Sequence, residues 1–203
     1  MTAMPALETR RLIVWPFELS DLDAVYQLFD VDLFPNNSGK NKIETMQERL
    51  EWLQWSVLNY QQLAKLRQPP YGDRAMVIKQ SGELVGSCGY VPCLGPYAQL
   101  PGFDDCHSSG SQALNTTEFG LYYAVSPIQQ RKGFASEATQ AMVDYAFRSL
   151  NLKRVIATTD YDNIASMGVM KKLGMQIEKN PIAQPPWLQV VGVLERKTTS
   201  TEV

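Results

Sequence analysis

The second half of the chain alternates strand and helix patterns in an order that leaves few folds open. Glu118 to Val125 reads as a strand, Ala135 to Ser149 as a helix, Arg154 to Asp160 as a second strand, and Asn163 to Leu173 as a second helix closed by Gly174. This is a β-α-β-α unit. Its first helix carries Ala138, Met142, Tyr145 and Ser149 on one face, with Ala135, Ala141 and Ala146 beside them, so a core-facing stripe runs along it.

The first half reads as further strands and helices. Arg11 to Phe17 is a strand stopped by Pro16, and Ser20-Asp21-Leu22-Asp23 has the form of a capping box that opens a helix bearing Leu22, Val25, Tyr26 and Phe29. A longer helical pattern follows with Ile43, Met46, Leu50, Leu53 and Val57, and Pro69-Pro70 ends it. Arg74 to Lys79 and Leu84 to Val91 are joined by Gln80-Ser81-Gly82-Glu83, which is hairpin chemistry. Pro92 to Thr116, rich in Gly, Pro, Ser and Asp, reads as a long surface loop. A last strand is expected over Leu188 to Leu194, before a frayed tail from Thr198 to Val203.

With 203 residues, 44% of them hydrophobic, the chain can build one substantial core and has little room for two independent domains. One domain over 1–197 is expected. A net charge of -2 gives no global attraction to nucleic acid or anionic membrane. No apolar run approaches the roughly 18 residues of a membrane helix, and the N-terminal residues do not read as a leader, so a cytoplasmic protein is expected. Cys88, Cys93 and Cys106 suit reduced thiols, and with His107 they make a poor tetrahedral set. No metal is expected.

The turn between the strand ending at Val125 and the helix opening near Gly133 concentrates anion-binding features. Unsatisfied N–H groups of a helix start face the loop, Gly133 allows close approach of a ligand, Ala135 leaves the start uncrowded, and Arg131 and Lys132 add positive charge. A pyrophosphate fits these demands.

Gln130-Arg131-Lys132-Gly133-Phe134-Ala135 matches the Gln/Arg-x-x-Gly-x-Gly/Ala coenzyme A signature of GNAT acetyltransferases, and the chain is identified as resembling that family. Leu7-Glu8-Thr9-Arg10-Arg11-Leu12 and Val85-Gly86-Ser87 resemble its RimJ/RimL-like, ribosomal-protein alanine acetyltransferase branch. So do Asp162-Asn163-Ile164-Ala165-Ser166 and Lys172-Leu173-Gly174-Met175. The resemblance implies an α/β (α+β) GNAT fold: a central mixed, mostly antiparallel, splayed β-sheet flanked by helices. It implies that the pantetheine arm of acetyl-CoA lies between two splayed parallel strands, 118–125 and 154–160, bonding to main chain as at Ala124 and Val125. The same resemblance puts the pyrophosphate on the N–H groups of Arg131, Lys132, Gly133, Phe134 and Ala135, with Gln130 nearby. It sets Asn163 beside the pantetheine or sulfur, and Asn163 reads equally as a helix N-cap.

Acetyl transfer to an amine requires a base, an oxyanion donor and an acid for the thiolate. Many family members use a Tyr on the last helix, where this chain has Met170, so Ser166 is the acid candidate by resemblance. A hydroxyl bonded within the helix is the other reading of Ser166. Glu118 is the base candidate, or a solvated carboxylate, and Tyr122 and Tyr123 are packing or cleft residues. The acceptor is a small-molecule amine or a protein N-terminus, and a monomer or homodimer is compatible with the exposed-or-core ambiguity of Trp52, Trp55 and Trp187. The rival reading is a non-catalytic acyl-CoA-binding GNAT domain that senses or regulates. A Rossmann domain is excluded by the single glycine in the turn.

Overall fold

The computed structural model describes residues 4–34, 43–103, 114–182 and 184–196. Its contacts divide into two compact units, each assembled from two stretches of chain: 1–90 with 122–142, and 91–121 with 143–203.

In the first unit, β1 (Leu7–Glu8), β2 (Leu12–Pro16), β3 (Gly72–Ile78) and the opening of β4 (Leu84–Gly95) form an antiparallel meander. The expected hairpin at 80–83 is present, with Gly82 at φ +70° and its N–H bonded to the Ile78 carbonyl at 2.8 Å. The end of β5 (Thr116–Val125) follows β4, and Ser126 N–H bonds to the Val85 carbonyl at 2.9 Å. Leu12 and Val14 are fully buried while Ile13 between them is half-buried and Trp15 after them is exposed, the alternation of a strand with one covered face.

The core of this unit gathers Phe17, Val25, Leu28, Phe29, Leu53, Ala75 and Val77, with Trp52, Val57 and Tyr122 packed against it. Trp52 takes Phe17 and Phe29 edge-on at centroid distances of 5.8 and 5.4 Å. Helix α1 (Leu22–Tyr26) is preceded by a 3-10 turn, Leu19–Asp21, and continues as a π-helical stretch, Gln27–Asp32. The cap here is not Ser20 with Asp23: the Glu18 N–H bonds to the Asp21 carboxylate at 2.8 Å, two residues earlier in the chain. Helix α2 (Met46–Lys65) starts from a capping box in which Thr45 Oγ1 accepts from the Glu48 N–H and Glu48 Oε2 accepts from the Thr45 N–H. A buried ion pair joins the two helical segments. Arg49 donates to both carboxylate oxygens of Asp30 at 2.7 and 3.0 Å and reaches Glu44 at 2.8 Å, with its guanidinium over Phe29 and Trp52.

The second unit holds the end of β4, the start of β5, β6 (Arg154–Thr159), β8 (Val190–Glu195) and β7 (Gln176–Lys179), with α4 (Ile164–Lys172). Helix α3 (Phe134–Arg148) begins in the first unit and ends in this one. The strand order is β1-β2-β3-β4-β5 in the first unit and β4-β5-β6-β8-β7 in the second, and β5–β6 is its parallel pair. This is the mixed, mostly antiparallel, helix-flanked sheet expected from the sequence.

Three details correct that expectation. β1 and β7 were not foreseen. The described part of the supposed loop at 92–116 is not surface loop either: β4 runs on to Gly95, and two 3-10 turns then bury Tyr97, Leu100 and Phe103. These three join Ile156, Leu188, Val191 and Val193 in the second core, with Tyr97 stacked on Phe103 at 5.5 Å. Asp104, Asp105, Cys106 and His107 lie outside the described residues.

The buried Asp30–Arg49 pair generates a stability prediction. Asp30→Ala leaves the Arg49 charge buried with half its partners and should lower the unfolding free energy by about 3 kcal/mol in urea titration. Loss of the exposed Lys79–Glu8 pair in Glu8→Ala should hardly move the midpoint.

Candidate active site

The loop that follows β5 is shaped by its own backbone. A 3-10 turn, Pro127–Gln129, leads to Gln130, whose side-chain amide folds back to donate to the Val125 carbonyl at 3.1 Å. Arg131 and Gly133 then take left-handed φ angles of +61° and +82°, one on each side of Lys132. A non-glycine residue seldom accepts that conformation without compensation, and alternation of hand of this kind turns successive N–H groups toward a common point. Helix α3 starts at Phe134, and its first backbone bond runs from the Glu137 N–H to the Gly133 carbonyl at 3.0 Å. Residues 133–136 therefore present N–H groups that have no acceptor within the helix, and the helix dipole adds partial positive charge there. Arg131 and Lys132 are exposed, and Lys132 Nζ bonds to Gln129 Oε1 at 2.6 Å. A pyrophosphate fits this cradle: a Cβ added at Gly133 would find only the Arg11 guanidinium, at 3.4 Å. The start of α3 is fixed from behind by Glu137. Burial pushes its carboxyl up, but bonds from the Thr9 hydroxyl and the Arg11 N–H and the charge of Arg11 hold it below the usual carboxylate range.

Within the second unit, β5 and β6 diverge. Only Gly120 and Ile156 are in register between them, whereas β6 and β8 pair over six positions from Arg154↔Glu195 to Thr159↔Val190. Gly120 is required where it stands, because a Cβ there would collide with Cys93 Sγ and Val91 on β4. Main-chain groups of β5 and β6 beyond that single register point are left without each other, which is the splay the resemblance implied.

Asn163 occupies the N-cap of α4, and its Oδ1 accepts from the Ser166 N–H at 3.0 Å, so the capping role weighed for it is realised. Ser166 is half-buried on the first turn of that helix. Met170 is completely buried, packing as an apolar residue, and Tyr122 packs against the first core rather than standing in a cleft.

Glu118 is not solvated. Its side chain is 7% exposed, and Arg154 holds it with two bonds, Nε to Oε2 at 2.9 Å and Nη2 to Oε1 at 2.6 Å. Phe103 lies against the guanidinium at 4.5 Å. Glu118, Arg154 and Phe103, with Ala98, Asn115, Thr116 and Thr117, line a pocket of about 440 Å³ in the second unit. Sequence reasoning singled out Glu118 but not its partner Arg154, whose relation to it depends on the register of two strands 36 residues apart. Among the described residues no cluster of His, Cys, Asp or Glu is arranged to hold a metal, and no helix is long and apolar enough to cross a membrane.

A family model for the acetyltransferase (GNAT) domain matches residues 11–176. The uncharacterised N-acetyltransferase YnaD of Bacillus subtilis is 28% identical over 176 residues, covering 85% of this chain and 83% of that protein. An acetyltransferase from Agrobacterium tumefaciens superposes with a TM-score of 0.66 at 19% identity, covering 97% of both chains. RimL, a ribosomal alpha-N-protein acetyltransferase in complex with coenzyme A, gives a TM-score of 0.63 at 16% identity, covering 94% of this chain and 97% of that one.

The loop geometry sets an expectation for coenzyme A binding. Gly133→Val puts a branched side chain at φ +82° and a Cβ into the cradle, so calorimetry should show affinity lowered by at least about tenfold. Unchanged affinity in a folded variant would remove this loop from the anion site.

Proposed function

The chain belongs to the GNAT acetyltransferase family, and we propose that it transfers the acetyl group of acetyl-CoA to a primary amine by direct attack through a tetrahedral intermediate, as a RimJ/RimL-like enzyme. It is an N-acetyltransferase by family, and the proposed acceptor is a small-molecule amine or a protein N-terminus. The observation that carries it is the left-handed, N–H-rich turn at Arg131 to Ala135 in front of α3.

In this reading the amides of Arg131, Lys132, Gly133, Phe134 and Ala135 bind the pyrophosphate, which costs no reorganisation because φ is already set at both left-handed positions. Gln130 braces the loop through the Val125 carbonyl. The pantetheine arm bonds to main chain at Ala124 and Val125, in the manner of an added strand. Asn163 lies toward the sulfur while capping α4, and Ser166 supplies the proton to the departing thiolate. That proton transfer is undemanding, since a thiolate is a tolerable leaving group.

Glu118 receives the acceptor's ammonium. Both of its oxygens already accept from Arg154, so each keeps one further lone-pair direction for an incoming N–H or a water. The carboxylate thus takes the ammonium proton directly or through that water, and the amine attacks the thioester carbonyl once neutral. The pocket around Glu118 holds about 440 Å³, room for a small amine or for the first residues of a peptide.

Free-thiol release with an accepted amine, measured across pH, tests these roles. Glu118→Gln keeps the shape and removes the basicity, so its turnover should fall near neutral pH, by about 10²-fold or more, and recover in part at high pH, where free amine is abundant. A wild-type profile and rate would make Glu118 a structural partner of Arg154 alone. Ser166→Ala should lower turnover while Met170→Leu, a volume-conserving change in packed surroundings, leaves it nearly intact.

A further inference from the structure

The opening segment Thr9-Arg10-Arg11-Leu12 has no part in the chemistry above, yet it closes on the cradle from outside. It forms a tight turn between β1 and β2: the Thr9 N–H bonds to the Leu12 carbonyl at 2.9 Å, and the Leu12 N–H returns a bond to Thr9 Oγ1 at 2.8 Å. The Thr9 hydroxyl then donates to Glu137 Oε1 at 2.6 Å, and the Arg11 backbone N–H donates to the same oxygen at 2.7 Å. Arg11 Nε takes the other oxygen, Oε2, at 2.7 Å. With both ends of that carboxylate engaged, the plane of the guanidinium is fixed, and Nη1 reaches the Lys132 carbonyl at 2.9 Å. The same guanidinium lies over the Phe134 ring at 4.6 Å, and its Nη2 is the atom nearest to where a side chain on Gly133 would begin.

We propose that Arg11 is a positioning residue for coenzyme A binding, which sets the direction of the Gly133 N–H by capturing the carbonyl of Lys132; the inference rests on the reading of this loop as the pyrophosphate site. The physical reason lies in the peptide plane. In a trans peptide the C=O of one residue and the N–H of the next point in opposite directions. A guanidinium that holds the Lys132 carbonyl on the β1–β2 side therefore turns the Gly133 N–H to the other side. One side chain thus contacts residues 132 and 134, abuts residue 133, and is itself anchored to Glu137 in the first turn of α3. Loss of Arg11 frees that peptide to rotate, and ligand binding must then supply the ordering.

Charge alone cannot substitute for this geometry. A lysine carries the same charge but a single donor nitrogen, which cannot hold the Glu137 carboxylate, span to the Lys132 carbonyl and stack on Phe134 together. The test is calorimetric titration of coenzyme A into the wild-type protein, Arg11→Ala, Arg11→Lys and Gly133→Val, each at low and at high salt. Both Arg11 variants should bind about tenfold more weakly than wild type, by a factor that stays the same at both salts. With an accepted amine, KM for acetyl-CoA should rise in these variants much more than kcat falls. Should Arg11→Ala fail to fold, Arg11→Lys carries the same comparison alone. If Gly133→Val loses affinity while Arg11→Ala binds as wild type, or if Arg11→Lys restores full affinity, the positioning role is overturned and the loop assignment stands. A loss that shrinks at high salt overturns it as well, because it marks a direct charge contact. If Gly133→Val leaves wild-type affinity unchanged, the loop assignment itself falls, and the role of Arg11 with it.

Discussion

A diphosphate carries charge that a protein of net charge -2 must meet locally, and in the proposed site that charge is met by main chain rather than side chain. Helix α3 leaves N–H groups without helical acceptors at its start, and the left-handed φ angles of Arg131 and Gly133 bend the preceding peptides toward them. Such a turn is strained and needs support. Its visible supports are the Gln130 amide on the Val125 carbonyl and the Arg11 guanidinium on the Lys132 carbonyl, with Glu137 as the common anchor of the first helical turn. If the loop is the pyrophosphate site, these supports act on binding by holding its main chain.

The second unit solves a different problem. Parallel neighbours β5 and β6 meet in register at Gly120 and Ile156 alone, so part of each strand has main-chain groups available to something other than the sheet. At the N-terminal ends of the same two strands, Glu118 and Arg154 neutralise each other under Phe103 and present a carboxylate to a pocket without leaving an isolated buried charge. A single ion pair so reconciles burial with an acidic wall in the pocket, the wall proposed to meet the amine.

What could be read from the sequence was what is local. The helix start at 133–135, the strand before it and the hairpin at 80–83 all follow from residues near one another in the chain. The misses are of two kinds. Pro92, Gly95, Pro96, Pro101 and Gly102 outweighed Tyr97, Leu100 and Phe103, whose three-residue spacing on successive 3-10 turns was the available sign of a buried segment. Strands of two and four residues, β1 and β7, carry too little alternation to announce themselves. The ion pairs Glu118–Arg154 and Glu137–Arg11 join residues 36 and 126 positions apart, and no spacing rule brings such partners together before the fold is known.

The central claim, that backbone N–H groups of this loop take the phosphates of coenzyme A, is tested most directly by amide nuclear magnetic resonance of ¹⁵N-labelled protein titrated with coenzyme A. The account predicts that the amides of Lys132, Gly133, Phe134 and Ala135 show the largest proton shifts, downfield, saturating together with the calorimetric binding curve. Saturable binding that leaves those four resonances where they were would contradict it.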